Sequence, residues 1–421
     1  MSIPLDHLYH YLENLSNSNI IIYRWDPHGS KNLSDLQPIK RPWGDQLISE
    51  PVMVAHDQEP LDYNFLETQG FEKIRHPSWL KYPSYVDFVN SMSIIRCKVC
   101  TWNVYEKFLL CHSEKNSPEL AKFESDFIGV YYWSHGLIAR DWFRFAKNDL
   151  ALGANPGDYK YDFLIYNRAW SGTREYRLKF TELLVDNNLL TKSFTKFSPF
   201  DSDIHYTAHQ FKNPAFKISN FSLDSTIPEN TFTATSSGGY VADDYNSCGI
   251  EVVLETLFDD QRIHLTEKIL RPIACGKPFI LASTVGALDY LRDYGFKTFD
   301  GLIDESYNKV SDPVERLERI IVEMKRIANL SAEEKLALYS KLNEIADYNK
   351  KLFFSDAWQQ QIVDEFVTNF NSAFEEVKLL KNSKKWSHAK SIVEQDPELK
   401  AHVLKTCTEE GIKLLDQHLS Q

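Results

Sequence analysis

Short apolar runs punctuate this chain, and longer stretches of helical spacing separate them. Residues 19–25, Asn-Ile-Ile-Ile-Tyr-Arg-Trp, are β-branched and too continuous for a half-exposed strand, which predicts a buried parallel strand. Before it, Leu8, Tyr11, Leu12 and Leu15 recur at helical spacing within residues 7–15. Further strands are predicted at 51–55, 108–111 and 129–133. Each runs directly into polar residues: His56-Asp57-Gln58-Glu59-Pro60, His112-Ser113-Glu114 and Ser134-His135-Gly136. A helix is predicted from Ser117-Pro118-Glu119, where an N-cap serine precedes proline at the first helical position.

Gly153-Ala154-Asn155-Pro156-Gly157-Asp158 has linker composition. A strand at 162–166 follows, then a helix over 174–186 that carries Leu178, Leu183 and Leu184. From there to 228 the chain is polar and aromatic, with short strands. A βαβ block spans Ile250 to about Phe299, and the charged stretch 311–350 reads as helical. Residues 355–378 place Trp358, Ile362, Phe366, Phe370 and Phe374 on one helix face. The tail 379–421 reads as one or two appended helices. Strands separated by helical patterns predict α/β architecture with open parallel sheets, whose ligands bind beyond the carboxyl ends of the strands. Asp57, Glu59, His112, Glu114 and His135 all fall at such ends.

Composition narrows the picture. The 421 residues correspond to two or three domains at roughly 150 residues each. Apolar runs of about ten residues or fewer fall short of the roughly 20 that a membrane span needs, and the first residues lack a secretory pattern, so a cytoplasmic protein is expected. Six cysteines are too few for a disulfide framework. Cys97, Cys100 and Cys111 would need a fourth ligand to hold zinc, and His112 is badly placed for a tetrahedron, so buried free thiols are expected. The net charge of −12 gives no whole-chain attraction to nucleic acid. Segments 73–107 and 160–196, and the run Lys378, Lys381, Lys384, Lys385 and Lys390 beside Trp386, are locally basic. Exposed tryptophans among Trp25, Trp43, Trp79 and Trp102 would suit base stacking.

The densest chemistry lies at 251–256 and 265–281. Thr266 suits the cap of a helix whose first turn carries Glu267 and Lys268, and a helix amino terminus with an added cation is an anion site. Glu267 has the acceptors to hold a ribose diol. An ordinary capped helix is the alternative. Gly276 ends the helix, and 278–281 returns as a strand before the small residues Ser283, Thr284, Gly286 and Ala287.

Thr266-Glu267-Lys268 before an amphipathic helix, followed by Gly276-Lys277-Pro278-Phe279-Ile280, resembles the donor motif of α1,3-fucosyltransferases. The chain also resembles tailed-phage glycosyltransferases, including the hydroxymethylcytosine arabinosyl- and glucosyltransferases of T-even-like phages. That resemblance rests on 56–61, 112–117, 166–177, 265–299 and 303–307, and covers most of residues 20 to 375. It implies the GT-B architecture: an acceptor-binding Rossmann-like domain over 1–155 and a nucleotide-sugar-binding one over 160–350, facing across a cleft. Helices over 351–421 would complete it, the first crossing back to the amino-terminal domain.

The same resemblance implies a UDP-sugar as donor, Lys268 at the diphosphate, Glu267 at the ribose, and Arg168 and Arg174 at the phosphates. The spacing of Glu255 to Glu267 departs from the fucosyltransferase pattern. No cofactor is expected, and Asp201-Ser202-Asp203 reads as a turn cap rather than a metal pair, so fixed cations would stabilise the leaving group. The acceptor hydroxyl must lose a proton, for which Asp57 and Glu59 are the first candidates, with Glu114 and His135 behind them. The partners implied are a nucleotide sugar and hydroxymethylated DNA, with no membrane, and the setting is the host cytoplasm if the chain is phage-encoded. A glycan, protein or small-molecule acceptor, or a non-catalytic sugar-binding role on the same fold, are the alternatives.

Overall fold

The computed structural model describes residues 5–16, 20–24, 37–38, 51–61, 107–122, 127–153, 157, 159–227 and 238–379. Cys97, Cys100, Trp25, Trp43, Trp79, Trp102, most of the 73–107 basic segment and the tail from 380 lie outside the described residues. The described chain falls into two compact units. One takes Leu5 through Glu114, Pro118–Ser134 and the residues from Val363 onward; the other takes Lys115–Ser117 and His135–Ile362.

The first unit opens with α1 (Leu5–Ser16), which buries Leu8 and Leu12 at helical spacing. Strands β1 (Ile21–Arg24), β2 (Gln37–Pro38), β3 (Val52–Ala55) and β4 (Phe108–His112) follow, then α2 (Pro118–Lys122) and β5 (Phe127–Tyr131). The sheet order is β2-β1-β3-β4-β5, with β1, β3, β4 and β5 parallel and β2 antiparallel at the edge. An edge position tolerates Pro38, which has no N–H to give a central ladder. Met53, Val54, Leu109 and Leu110 are buried, as continuous apolar runs in a parallel sheet require. β5 starts two residues before the expected 129–133 and ends at Tyr131. Tyr132 still bonds the His112 carbonyl at 3.1 Å, but the Ser134 amide donates to the Tyr132 carbonyl at 3.0 Å and turns the chain.

The second unit begins with α3 (Ser134–Trp142) where the sequence reads as a strand end and turn. Its sheet is built from β6 (Tyr161–Asn167), β7 (Ser193–Phe197), β10 (Cys248–Leu254) and β11 (Phe279–Ala282), all parallel, in the order β11-β10-β6-β7. β8 (Phe200–Asp201) and β9 (Ile204–His205) form a small hairpin, and Asp201-Ser202-Asp203 is its turn, with Ser202 and Asp203 at φ 50° and 65°. The helices are α4 (Tyr176–Asp186), α5 (Leu223–Thr226), α6 (Ala242–Ser247), α7 (Glu267–Cys275), α8 (Ala287–Asp293), α9 (Pro313–Ala328), α10 (Ala332–Phe353) and the start of α11 (Asp356–Leu379), whose residues from Val363 belong to the first unit. The charged stretch 311–350 is thus two helices. Asp312 caps the first before Pro313, and Ser331 with Glu334 forms a capping box on the second.

All seven residues of β10 are buried, Glu251 included. Arg271 pairs with Glu251 at 2.6 Å, and the Tyr245 hydroxyl donates to it at 2.5 Å, so the buried charge is compensated. Cys111, Cys248 and Cys275 are buried free thiols. Among the described residues no helix is long and apolar enough to cross a membrane.

Candidate functional site

The strand order of the second unit sets where a ligand fits. From β6 the chain moves outward to β7, then returns to β10 on the other side and continues to β11. The reversal lies between β6 and β10, and open α/β sheets bind ligands in the crevice outside the carboxyl ends at such a point. Two loops meet there. Residues 168–175 follow β6, and residues 255–266 follow β10. The Thr173 hydroxyl bridges them by donating to the Thr256 carbonyl at 2.9 Å.

Two buried residues of the first turn of α4 hold the end of β10. The Arg177 guanidinium donates to the carbonyls of Leu254 at 2.7 Å and Glu255 at 2.9 Å, and also to Ala169 at 2.5 Å. The Tyr176 hydroxyl donates to the Glu255 carbonyl at 2.7 Å, and its ring stacks on Phe258 at 4.2 Å. Burial pushes the Tyr176 hydroxyl up and the Arg177 guanidinium down from their ordinary values.

Glu255 is fully buried at the start of the second loop. Its carboxylate accepts the amides of Thr256 at 3.1 Å, Thr266 at 3.0 Å and Ile269 at 3.3 Å, and the Thr266 hydroxyl at 2.8 Å. A carboxylate so placed satisfies orphan amides at the amino end of α7 and complements its dipole. Glu255 therefore secures the helix start. Thr266 is the N-cap, and its hydroxyl accepts the Lys268 amide at 3.3 Å. Gly276, at φ 69°, closes α7 in the left-handed conformation that favours glycine.

The first turn of α7 carries a cluster of charge. The Lys268 ammonium lies 3.0 Å from Glu267 Oε1, 3.1 Å from Thr266 Oγ1 and 3.3 Å from Thr256 Oγ1. The other Glu267 oxygen, Oε2, lies 3.6 Å from His135 Nε2. His264 sets its ring at right angles to that of His135, with centroids 5.2 Å apart. Glu267, His135 and His264 are buried, whereas the Lys268 side chain is 25% exposed and is the open edge of the cluster. Burial pushes the Glu267 carboxyl up, but the Lys268 and His135 charges and the Lys268 hydrogen bond outweigh it and hold the pKa at about 2.

His135 reaches this position because α3 is pinned. The buried Arg140 donates to the carbonyls of Phe353 at 2.8 Å and Ser355 at 2.5 Å. Next to His135, Gly136 lets α11 approach: a Cβ there would lie 2.4 Å from Ile362 and 3.3 Å from Trp358. The loop carrying His264 is held by paired backbone bonds between Lys115 and Ile263, both 3.0 Å.

Arg168 is exposed and Arg174 half-buried on the β6 loop. Arg174 acts on Asp201, whose carboxylate accepts the amides of Trp170 at 2.8 Å and Ser171 at 2.6 Å. Burial pushes the Asp201 carboxyl up, but the Ser171 and Trp170 bonds and the Arg174 charge hold it below the usual carboxylate range. Asp201 thereby ties the hairpin to the β6 loop. Among the described residues no three His, Cys, Asp or Glu side chains converge as metal ligands.

The remaining candidates gather at the carboxyl ends of β3 and β4 in the first unit. Asp57, 1% exposed, accepts the Tyr132 hydroxyl on its carboxylate, and its carbonyl accepts Ser113 at 2.7 Å and also Ser134. Glu114, 2% exposed, accepts the Leu61 amide, and its own amide donates to His112 Nδ1 at 3.4 Å. Glu59 is half-buried. The structure thus brings Glu255, Thr266, Glu267, Lys268 and His135 into one cluster of the second unit, and Asp57 and Glu114 onto neighbouring strand ends of the first.

The sequence did not single out Tyr176, Arg177 or His264. The repeat of arginine at 168, 174 and 177 was a signal for Arg177, since three guanidiniums beyond one strand exceed what a turn needs. His264 carries no such signal. No protein-family model matches the chain, and neither a curated protein nor a solved structure matches it.

Proposed function

We propose that this chain is a glycosyltransferase of the GT-B kind, moving a sugar from a UDP-sugar to a hydroxyl acceptor. The observation that carries the reading is the charged first turn of α7, with Lys268 at its open edge, beside the β6–β10 crevice. A diphosphate there would meet the Lys268 ammonium and the arginines of the β6 loop. Arginine suits phosphate oxygens because its planar fork donates in pairs. In the transfer, the acceptor oxygen bonds to the anomeric carbon as the bond from that carbon to the diphosphate breaks. The electron pair stays on the phosphate oxygen, where fixed cations stabilise it.

The acceptor in this proposal is the hydroxymethyl group of 5-hydroxymethylcytosine in DNA, with arabinose or glucose as the sugar. That part rests on the sequence resemblance to phage enzymes. A screen of UDP-sugars for protection against heat unfolding tests the donor. A true ligand at about 100 times its dissociation constant adds about 2.7 kcal/mol of stability. Protection by no UDP-sugar and by no other nucleoside diphosphate would remove the reading.

A further inference from the structure

The second unit holds three further features with chemistry of their own: the buried Lys277, the exposed β8–β9 hairpin, and the pair formed by His135 and Glu267. The last points to a reacting group. Glu267 faces a basic side chain with each oxygen, Lys268 at 3.0 Å on Oε1 and His135 at 3.6 Å on Oε2. Glu267 matches the Lys268 charge, one positive for one negative, and His135 is the side chain on the same carboxylate that acquires a positive charge on protonation.

We propose that Glu267 is the shared counter-ion of Lys268 and His135, and that His135 is the acid that meets the leaving diphosphate. This deepens the glycosyltransferase reading and rests on it. As the bond between the anomeric carbon and the phosphate oxygen breaks, its electron pair stays on that oxygen, and His135 gives the oxygen its proton. The proton lost by the acceptor hydroxyl goes to a separate base, and solvent reprotonates His135 after the nucleotide leaves. Glu267 favours the charged form of His135 over the neutral one and orients the ring, as a carboxylate does in other histidine dyads. Among the groups facing His135 are Glu267 from α7 and His264 from the preceding loop, with Lys268 beyond Glu267. Glu267, held at about pKa 2, stays ionised across the histidine range.

The test uses UDP-glucose, whose phosphates keep a constant charge through neutral pH, with the full chain and calorimetry from about pH 5.5 to 8.5. The parent should bind about tenfold more tightly at the acid end, because one unit of pKa shift on binding is a tenfold change in affinity. His135→Gln should flatten that profile at the weak, alkaline value, while His264→Gln should keep the slope. NMR titration of the parent provides a readout that needs no variant: the His135 pKa should rise by about one unit when UDP-glucose saturates the site. A slope that survives His135→Gln, or follows His264, or a His135 pKa unmoved by UDP-glucose, overturns the His135 assignment and leaves the donor reading standing. Absence of UDP-glucose and UDP binding at every pH overturns both.

Discussion

Glu255 grips Thr266 twice, taking its amide at 3.0 Å and its hydroxyl at 2.8 Å. The two residues lie eleven positions apart, so the bonds close the loop after β10 onto the start of α7. The loop delivers Thr256 from one side and Lys268 from the other, and the Lys268 ammonium reaches hydroxyls of both Thr256 and Thr266. The position of the cation is therefore set by a buried carboxylate that does not touch it.

Replacing Glu255 with glutamine should show this. Glutamine offers one acceptor oxygen where the carboxylate takes four donors, and its amide N–H groups would point at other donors. Stability should fall by about 2–4 kcal/mol, in line with losing charged buried hydrogen bonds. Urea unfolding measures it, and nucleotide affinity should fall in the same variant because the first turn of α7 loosens. An unchanged denaturation midpoint would show that Glu255 is not the anchor.

Lys268→Ala should bind UDP at least tenfold more weakly, about 1.4 kcal/mol or more, since a fixed cation at a diphosphate is lost. The fold should hold, because Lys268 is on the open edge and Thr266 still caps the helix. Transfer by the parent should persist in EDTA, since Lys268 and the loop arginines supply the positive charge. Loss of activity on chelation, restored by Mg²⁺, would show that a divalent ion neutralises the diphosphate instead.

Much of the fold was legible because parallel strands write themselves as continuous apolar runs. The run at 19–25 became β1, and Val52–Ala55, Phe108–His112 and Tyr161–Asn167 fell within a residue or two of expectation. The start of α7 was legible from Thr266 because a cap acts on amides two or three residues away. Long-range relationships were not. Gly136 reads as a turn glycine, yet it sits in α3 because Ile362, more than two hundred residues on, needs its missing side chain. That misreading hid α3, and with it the approach of His135 to Glu267. Arg177 spends its guanidinium on backbone carbonyls of another strand, which no local pattern encodes.

Lys277 gives a stability prediction with a definite sign. The side chain is buried, donating to the Cys248 carbonyl at 3.0 Å with its ammonium over the Tyr159 ring at 4.3 Å. Burial lowers its pKa from 10.5 to about 8, with the Cys248 and Cys275 thiols opposing. Below about pH 8 both folded and unfolded chains carry the proton, so the folded state bears the full cost of the buried charge. As pH rises from about 8 to 10.5 the folded lysine is neutral while the unfolded one is still charged, and that cost disappears. The shift corresponds to roughly 3 kcal/mol, and the lost carbonyl bond offsets about 1 kcal/mol. Lys277→Met should therefore stabilise the protein by about 2 kcal/mol near neutral pH, and the advantage should vanish above about pH 10.5. Thermal unfolding of both proteins across that range checks it, and equal or lower stability of the variant at neutral pH would refute it.

The acids of the first unit divide by exposure, and on the proposed reading this sets the candidate base apart from the others. An acceptor hydroxyl must come within about 3 Å of the group that takes its proton. Asp57 and Glu114 are 1% and 2% exposed and accept Tyr132 and Leu61, whereas Glu59 is half-buried. On the proposed reading, Glu59→Gln should therefore slow the chemical step by about 10²–10⁴-fold while leaving UDP binding near that of the parent. Asp57→Asn should behave in the opposite way, weakening the fold because the Tyr132 hydroxyl then meets an amide instead of a carboxylate. Its loss should be about 1–3 kcal/mol. Single-turnover transfer to hydroxymethylcytosine DNA, with urea unfolding alongside, distinguishes the two. If Asp57→Asn abolishes transfer at full stability and Glu59→Gln is active, the base is Asp57, and the buried strand end must open when acceptor binds. If the parent binds UDP-sugar but transfers nothing to that DNA, while a hydroxylated glycan accepts, the acceptor is a glycan. In the DNA case, raising salt should weaken acceptor binding steeply and donor binding little, because phosphate contacts release counter-ions in number.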